Sequence, residues 1–523
     1  MHYRVQCAAV ARRLLPSQGK TQPSEAHLAG VPEDATASWA RRLRSERTPS
    51  SQVAHLQLCE QFFDHYAGQV ELWRKRNRGY HNSLASLARF YIPPHMKVLE
   101  LGCGPGDLLA AVRPAEGVGI DISAGMVDLA RRRHPDLEFH RMVAEEIDLD
   151  GRRFDYIILS DLIGFLYDIR GVLDRLHALC HRDTRIVINW YSRVWQPALN
   201  LAERLGLKYP QPILNWTAPG DVLNLLHLAG FEAIRHRRHT LLPLRIPLLA
   251  AFANRCLANL PLFRSFALLN FVVARSLHAL PETPPPVTVV CPCRNEAGNI
   301  ETIARRLPAM GSHTELIFVE GHSTDGTLEE CGRVAALFPA RDIRVLQQSG
   351  RGKGDAVRLG FAQARGDILM ILDADASVDP EDLAQFYQAI TAGKGEFLNG
   401  CRLVYAMDPK AMRFLNLVGN RFFAWLLGTM MGQPLKDSLC GAKVLWKASY
   451  ERIAAGRAHF GHLDPFGDFD LLFGAAKLNL SIVEIPVRYR RRIYGETNIS
   501  RFSDGLLLLR MSARAAAELY FIA

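Results

Sequence analysis

Residues 366–379 read GDILMILDADASVD. The apolar run from Ile368 to Leu372 predicts a buried strand, and Asp373 and Asp375 end it with only Ala374 between them. Alternation along an extended chain puts both carboxylates on one side and Ala374 on the other. Two like charges held this close repel. A divalent cation shared with phosphate oxygens removes the repulsion, and Mg²⁺ and Mn²⁺ prefer oxygen ligands of this kind. The stretch therefore predicts a metal-bound diphosphate at a strand end. A solvated loop after a strand is the plain alternative, because an isolated D-x-D is common.

The flanking sequence repeats the strand-then-turn theme. VTVVCPCRNEAGNI (287–300) is a strand, a turn shaped by Pro292, and a helix start that presents Asn295 and Glu296. ELIFVEGHSTDGT (315–327) is a second strand, with Glu320, His322, Ser323 and Asp325 at its tip. GRGKGDAVRLGFAQARGD (350–367) is basic and glycine-rich and then helical; its Arg351 and Lys353 can complement an anion, as can the arginines at 490–492. Strand and helix alternate throughout, which implies an α/β domain with a parallel sheet and ligands at the carboxyl ends of the strands.

This ordered set resembles the family 2 glycosyltransferases of the GT-A fold, over about 285–510, and most of all the polyprenyl-phosphate sugar transferases of the dolichol-phosphate mannosyltransferase type. The matching elements also include DSLCGAKVLWK (437–447), FGDFDLL (466–472) and EIPVRYRRRIYGETNISRF (484–502). The resemblance implies a UDP- or GDP-linked sugar donor contacted by Pro292, Asn295, Glu296 and Glu320, with Lys353 and Ala374 beside it. It implies Asp373 near the ribose and diphosphate, Mg²⁺ or Mn²⁺ on Asp375 and Asp373, and Arg491, Arg492 and Asn498 facing phosphate. Two departures stand out. Relatives carry D-D-x-S where this chain has Glu320-Gly321-His322-Ser323, and lysine where it has Asn498. If the acceptor is a hydroxyl, a carboxylate base is needed, with Asp468 the first choice and Asp470 the second. If the acceptor is a lipid phosphate no base is needed. Capping of the following helix is the structural role open to Asp468.

The first half has its own design. VLELGCGPGDLL (98–109) places Gly102, Gly104 and Gly106 after a β-prone run, and GVGIDIS (117–123) ends its strand with Asp121. Glycines there let the backbone approach a ligand, and the acid can accept from two ribose hydroxyls. NAD and S-adenosylmethionine are the candidates. The spacing is E-x-G-x-G-x-G rather than G-x-G-x-x-G, which leaves no pyrophosphate seat, while Glu100 can face a cationic amino group. These residues, with VAEEIDL (143–149), FDYIILSDLIGFL (154–166), LAGFEAI (228–234) and FALLNFVVARSL (266–277), resemble class I S-adenosylmethionine-dependent methyltransferases over about 60–277. That resemblance implies Glu100, Gly102, Gly104 and Gly106 around the methionine part, Asp121 on the ribose, and Glu145 and Ser160 near the adenine and the methyl group. Many relatives carry an acid at the place of Val143 or Ala144, and this chain does not. Methyl transfer is mostly positioning, so no firm catalytic residue follows. Tyr80, His81, Trp190 and Tyr191 could form an acceptor pocket or simply pack in the core.

The 523 residues divide as a flexible basic leader (1–54), a methyltransferase domain (55–279), a Pro-rich linker (280–286) and a glycosyltransferase domain ending in an amphipathic helix (287–523). The ten scattered cysteines form no metal-type cluster and suit a cytoplasmic protein. No apolar run is long enough to span a bilayer. Segments 241–266 and 411–432 are apolar but broken by arginine; they predict either packed helices or peripheral contact with the inner face of a membrane. The formal charge of +10 favours anionic partners. The absence of zinc ligands and of an RNA-binding sheet signature argues against nucleic acid. The expectation is thus a bifunctional enzyme acting on a lipid-linked or glycan acceptor. The alternative is a glycosyltransferase whose first half is a nucleoside-binding regulatory or docking module.

Overall fold

The computed structural model describes residues 51–521, apart from 212–214, 244–247, 279, 407–413, 458–466, 491–493 and 495–500. Arg491, Arg492 and Asn498 lie outside the described residues. Two α/β sheets follow each other along the chain.

The first sheet is built from β1 (Lys97–Leu101), β2 (Glu116–Asp121), β3 (Glu138–Arg141), β4 (Phe154–Ser160), β5 (Cys180–Tyr191), β6 (Phe231–His239) and β7 (Leu269–Ser276), in the order β3-β2-β1-β4-β5-β7-β6. It is parallel from β3 to β5. The second sheet uses β8 (Val287–Cys293), β9 (Thr314–Glu320), β10 (Asp342–Gln347), β11 (Ile368–Ile371), β12 (Phe397–Cys401), β13 (Lys443–Trp446) and β14 (Ile482–Pro486), in the order β10-β9-β8-β11-β13-β12-β14. Neither sheet is purely parallel as alternation predicted. β7 runs antiparallel to β5 and β6, and β13 antiparallel to β11 and β12. Both are mixed, mostly parallel α/β sheets.

The strand order reverses at β1/β4 and again at β8/β11, so each sheet has a crevice at those carboxyl ends. The burial of β11 explains its sequence. Ile368, Met370 and Leu372 pack into the core on one face, and Leu369 and Ile371 into the core on the other. A strand covered on both sides reads as a continuous apolar run. β11 ends at Ile371, however, and residues 374–375 form a turn with Ala376 left-handed at φ 51°. Strand alternation therefore does not set the direction of Asp375; the turn does, with the Ser377 N–H donating to Asp375 Oδ1 at 3.0 Å.

Residues 48–523 form one compact unit, and the two sheets share a buried polar seam. Arg185, on β5, is 1% exposed; its Nη2 donates to both carboxylate oxygens of Glu396 at 2.8 Å and its Nε to the Asn479 carbonyl at 2.8 Å. Arg237, on β6, donates to the Leu519 carbonyl at 3.0 Å and to that of Met430. The Pro-rich linker runs against the second half, where the Pro285 carbonyl accepts from Tyr387 Oη at 3.2 Å. Buried ion pairs fix geometry more than they add stability, because desolvation offsets most of their attraction.

Candidate active sites

At the end of β1 the chain turns through Gly102 (φ 68°) and Gly104 (φ 50°). These are left-handed conformations that disfavour other residues. A Cβ on Gly104 would meet nothing within 4 Å, so this turn faces open space. The Gly104 N–H donates to Asp121 Oδ2 at 2.8 Å and the Ser123 N–H to Oδ1 at 2.9 Å, tying the tip of β2 to the turn. Beside them lies a cavity of about 510 Å³, lined by Glu100, Gly102, Gly104, Asp121, Glu145 and Ser160. The backbones of Val143 and Ala144 sit at this wall, where an acid is lacking. Gly106 is not part of the lining. At φ 78° it leaves room for the Phe139 ring, which a Cβ would meet at 2.7 Å, and so it serves packing between helix and sheet.

Glu100 is 2% exposed, and its Oε2 has no hydrogen-bond partner. Burial pushes its carboxyl up to about 8, with the Leu109 N–H and Arg74 pulling the other way and Asp121 adding to the rise. Burial also lifts Asp121 to about 6 against its two N–H donors. A buried acid with an unpartnered oxygen facing a cavity suits a cationic amino group, so these residues fit S-adenosylmethionine. Glu145 spends Oε1 on the Tyr167 N–H at 3.0 Å, which fixes the loop after β4.

Of the outer wall, only Tyr80 and His81 were singled out from the sequence. It comes from the helices Gln52–Ala67, Val70–Arg76 and Arg78–Tyr91, which bring Phe63, Tyr66, Trp73, Arg74, Tyr80 and His81 to the cavity. Tyr80, His81 and Tyr191 face it, whereas Trp190 is buried with its Nε1 on the Thr217 carbonyl at 3.2 Å. Asp161 and Lys208 also line it.

In the second half, Asp373 follows β11 and meets Lys353, the first residue of the helix Lys353–Gln363, at 2.6 Å. Burial works against the lysine charge, but Asp373, Asp468 and Asp375 outweigh it and hold Lys353 above its ordinary range. Three glycines make this contact sterically possible. A Cβ on Gly441 would fall 1.8 Å from Asp373 Oδ2 and 2.6 Å from Lys353 Nζ. Gly467 (φ 76°) precedes Asp468 and would put a Cβ 2.8 Å from Gly354 Cα; Gly352 has φ 89°. The helices starting at Lys353 and Asp468 thus bring their N-terminal ends together, an arrangement that favours anions.

Asp468 is paired with the fully buried Lys443 at 3.2 Å, and Asp470 with Arg457 Nε at 2.6 Å. Asp437, in the stretch before β13, is wholly buried in a bidentate pair with Arg402, Nε and Nη2 each at 2.8 Å. Burial opposes its ionisation, yet the guanidinium outweighs it and holds Asp437 down at about 2.

The loops after β8 and β9 are stitched together by the residues expected at the nucleotide. The Asn295 N–H donates to Ser323 Oγ at 3.0 Å, and Asn295 Oδ1 accepts from the Thr324 N–H at 2.8 Å. The Glu296 N–H donates to Thr327 Oγ1 at 2.9 Å, and Glu320 accepts from the Ser323 N–H at 2.5 Å. Pro292 lies within β8, and Ala374 points into the core. Arg490 is held by Asp379 at 2.8 Å. Among the described residues no group of three or more potential metal-ligating side chains occurs. A metal carried on a diphosphate needs only one or two protein carboxylates, so Asp373 and Asp375 still fit one.

The profile of glycosyl transferase family 2 matches residues 288–448, and that of a methyltransferase domain matches residues 72–236. A low-salt glycan biosynthesis hexosyltransferase of Haloferax volcanii is 27% identical over 226 residues, 42% of this chain and 51% of that protein. A dolichol-phosphate mannosyltransferase of Pyrococcus furiosus is 26% identical over 218 residues, 41% of this chain and 59% of that protein. The chain therefore spans about half the length of the first of these relatives and 59% of the second. A solved S-adenosylmethionine-dependent methyltransferase of Thermotoga maritima aligns at 15% identity with a TM-score of 0.33, over 42% of this chain and 99% of that one.

Proposed function

We propose that the chain is a bifunctional enzyme, with metal-dependent, inverting transfer of a sugar from a UDP- or GDP-linked donor in the half that matches the glycosyl transferase family 2 profile, and methyl transfer from S-adenosylmethionine, in the same pathway, in the half that matches the methyltransferase profile. The observation that carries the sugar-transfer reading is the Lys353–Asp373 contact under Gly441, set between two converging helix N-termini. The lysine and the N-termini would hold the diphosphate, and Asp375 would present an oxygen to Mg²⁺ or Mn²⁺, whose chemistry is to neutralise charge developing on the leaving group. Asp468, steadied by Lys443, would serve a hydroxyl acceptor as base or orient groups around a phosphate acceptor. In the first half, Glu100 would hold the ammonium of S-adenosylmethionine and Asp121 its ribose; bound there, the sulfonium supplies the electrophilic methyl group.

A lipid-linked acceptor is favoured over a free one by the surface. The helix Phe414–Met431 is apolar on both faces: Phe423, Ala424 and Leu427 are buried in the core, while Leu415, Val418, Phe422 and Trp425 are exposed. Leu249, Phe252 and Leu262 are exposed on the segment between β6 and β7, with Arg255, Arg264 and Arg421 also at the surface. Apolar side chains with flanking arginines suit an anionic lipid interface. No described helix is long and apolar enough to cross a membrane. The name of the Pyrococcus relative, a dolichol-phosphate mannosyltransferase, supports a lipid phosphate acceptor.

The test uses the full chain with UDP- and GDP-sugars, Mn²⁺ or Mg²⁺, and a polyprenyl phosphate in anionic vesicles. Metal-dependent release of nucleoside diphosphate is expected, and Asp375→Asn should abolish it. Unchanged turnover in that variant rejects the metal assignment. Sugar transfer by a chain that binds S-adenosylmethionine but methylates nothing in a cell extract would leave the first half as a regulatory module.

A further inference from the structure

The cavity of the first half holds polar groups that cofactor binding does not use. Asp161 follows β4 in a left-handed conformation, φ 52°, and lines the cavity beside Ser160. Both of its oxygens are fixed. Asn189 Nδ2 donates to Oδ1 at 2.9 Å, and Tyr80 Oη donates to Oδ2. The Tyr191 ring lies beside Tyr80, with ring centroids 5.8 Å apart. The Asp161 N–H donates to the Asn189 carbonyl at 3.0 Å, so β5 holds the residue at two points. The parts come from three elements: the helix Arg78–Tyr91, the end of β4 and the end of β5. The left-handed backbone at φ 52° and the two ties to β5 fix the direction of this carboxyl beside the cavity. An apolar residue at this place would spare the cost of desolvating a carboxyl.

We propose that Asp161 is the proton acceptor of the methyl transfer, held by Tyr80 and Asn189, and that the methyl acceptor is a hydroxyl group. This rests on the methyltransferase reading of the first half. A hydroxyl must lose its proton as it forms the new bond, whereas an amine with a free lone pair, a carboxylate or a phosphate oxygen needs no base at that step. The acceptor oxygen bonds to the methyl carbon. The carbon–sulfur bond breaks with its electron pair left on sulfur, which turns the sulfonium into a neutral thioether. The hydroxyl proton passes to the Asp161 carboxylate and then to water, one proton per methyl group.

The surroundings suit this role. Burial lifts Asp161 to about 6, with Tyr80, Lys208 and Asn189 pulling it back. That value is close to neutral pH, where a base is most effective. Lys208 is itself engaged by Glu203 Oε1 at 2.6 Å, and Glu203 also faces Tyr191. His81 lines the same cavity, with its ring 5.3 Å from that of Tyr80. Burial and Arg74 push it down to about 4, which leaves Asp161 the stronger base. Tyr209 packs at 4.7 Å from Tyr66 and 5.5 Å from Trp73, an aromatic wall fit for the flat face of a hydroxyl-bearing ring.

The experiment supplies the full chain with methyl-labelled S-adenosylmethionine and a glycan and glycolipid extract, then treats the product with mild alkali. An alkali-stable methyl ether is expected. Asp161→Asn should lower incorporation by about 10²-fold or more while calorimetry with S-adenosylmethionine shows unchanged affinity. The wild-type rate should fall with unit slope below pH about 6. Tyr80→Phe removes a donor to the carboxylate and should move that inflection upward. Infrared titration without acceptor reads the group directly: the carboxyl signal titrating near 6 holds an Asp161 and an Asp121 contribution in the wild type, and Asp161→Asn loses only the first. An alkali-labile methyl ester, an N-methyl product, or full turnover by Asp161→Asn would overturn the proposal. Failure of the wild-type chain to bind S-adenosylmethionine would overturn the methyltransferase reading itself, and the assignment with it.

Discussion

The two crevices hold charge in opposite ways. In the first, Glu100 is buried with one oxygen unpartnered, and burial keeps its carboxyl near 8. In the second, acid already meets base: Asp373 with Lys353 at 2.6 Å and Asp468 with Lys443 at 3.2 Å. An unmatched buried acid is costly until a cation arrives, so the first crevice is built for a positive ligand. Acids already matched to lysines, beside helix N-termini, would on the proposed reading suit an anion that brings its own metal. The ligand's sign can thus be read from which groups the protein leaves unpaired.

The strongest way to break this contrast is to separate the halves. Arg185→Met leaves buried Glu396 with only the more distant Arg275 Nε, at 3.9 Å, for a guanidinium partner, and removing one partner of a buried pair costs about 3–5 kcal/mol. If the halves are one cooperative body, calorimetry will show a single transition moved down, with both ligand sites lost together. Two transitions, only one of them shifted, would show that the seam does not couple the halves. The next effect lies within the second crevice. Lys353→Met should lower sugar transfer by about 10²–10³-fold, the usual cost of removing one group that stabilises developing charge. It should also lower the Mg²⁺ or Mn²⁺ concentration needed, because the lysine no longer competes with the metal for Asp373. Titration of activity against metal checks both. An unaltered metal requirement would mean that the lysine only holds the loop.

The sequence exposed what depends on local pattern. Apolar runs ending in acid or glycine marked the carboxyl ends of β1, β8 and β11, where the crevices lie. Glu100, Asp121 and Asp373 were picked out as strand-end acids for that reason, and Lys353 from the basic, glycine-rich stretch that opens its helix. What was hidden depends on long-range packing. Residue periodicity carries no strand direction, so β7 and β13 looked parallel. Gly106 belonged to a legible glycine pattern but answers to Phe139, a residue on another strand. The aromatic wall comes from helices ahead of the first strand, and nothing in their spacing points to a cavity. Gly441 looks like any turn residue until Asp373 and Lys353 are seen to need its space. Asp161 was overlooked beside Ser160 because its partners, Tyr80 and Asn189, lie 81 and 28 residues away.

The smallest effect sharpens the contrast most directly. With Glu100 near 8, the carboxyl is largely protonated at pH 7. An arriving ammonium favours the carboxylate, so binding of S-adenosylmethionine should release a proton from the protein. Affinity should therefore climb as pH rises toward about 8. Above that it should fall again, since a free α-amino group loses its own proton at about 7.7–8.0. Calorimetry in buffers of different ionisation enthalpy measures the released proton. Glu100→Gln keeps the shape but removes the charge. It should bind about tenfold more weakly at pH 8, in line with the strength of a charged hydrogen bond, and should release no proton below pH 7. Proton uptake on binding, or affinity in the wild type that does not vary between pH 6 and 8, would place the ammonium elsewhere. The unpartnered oxygen would then have to be a packing cost that some other group relieves.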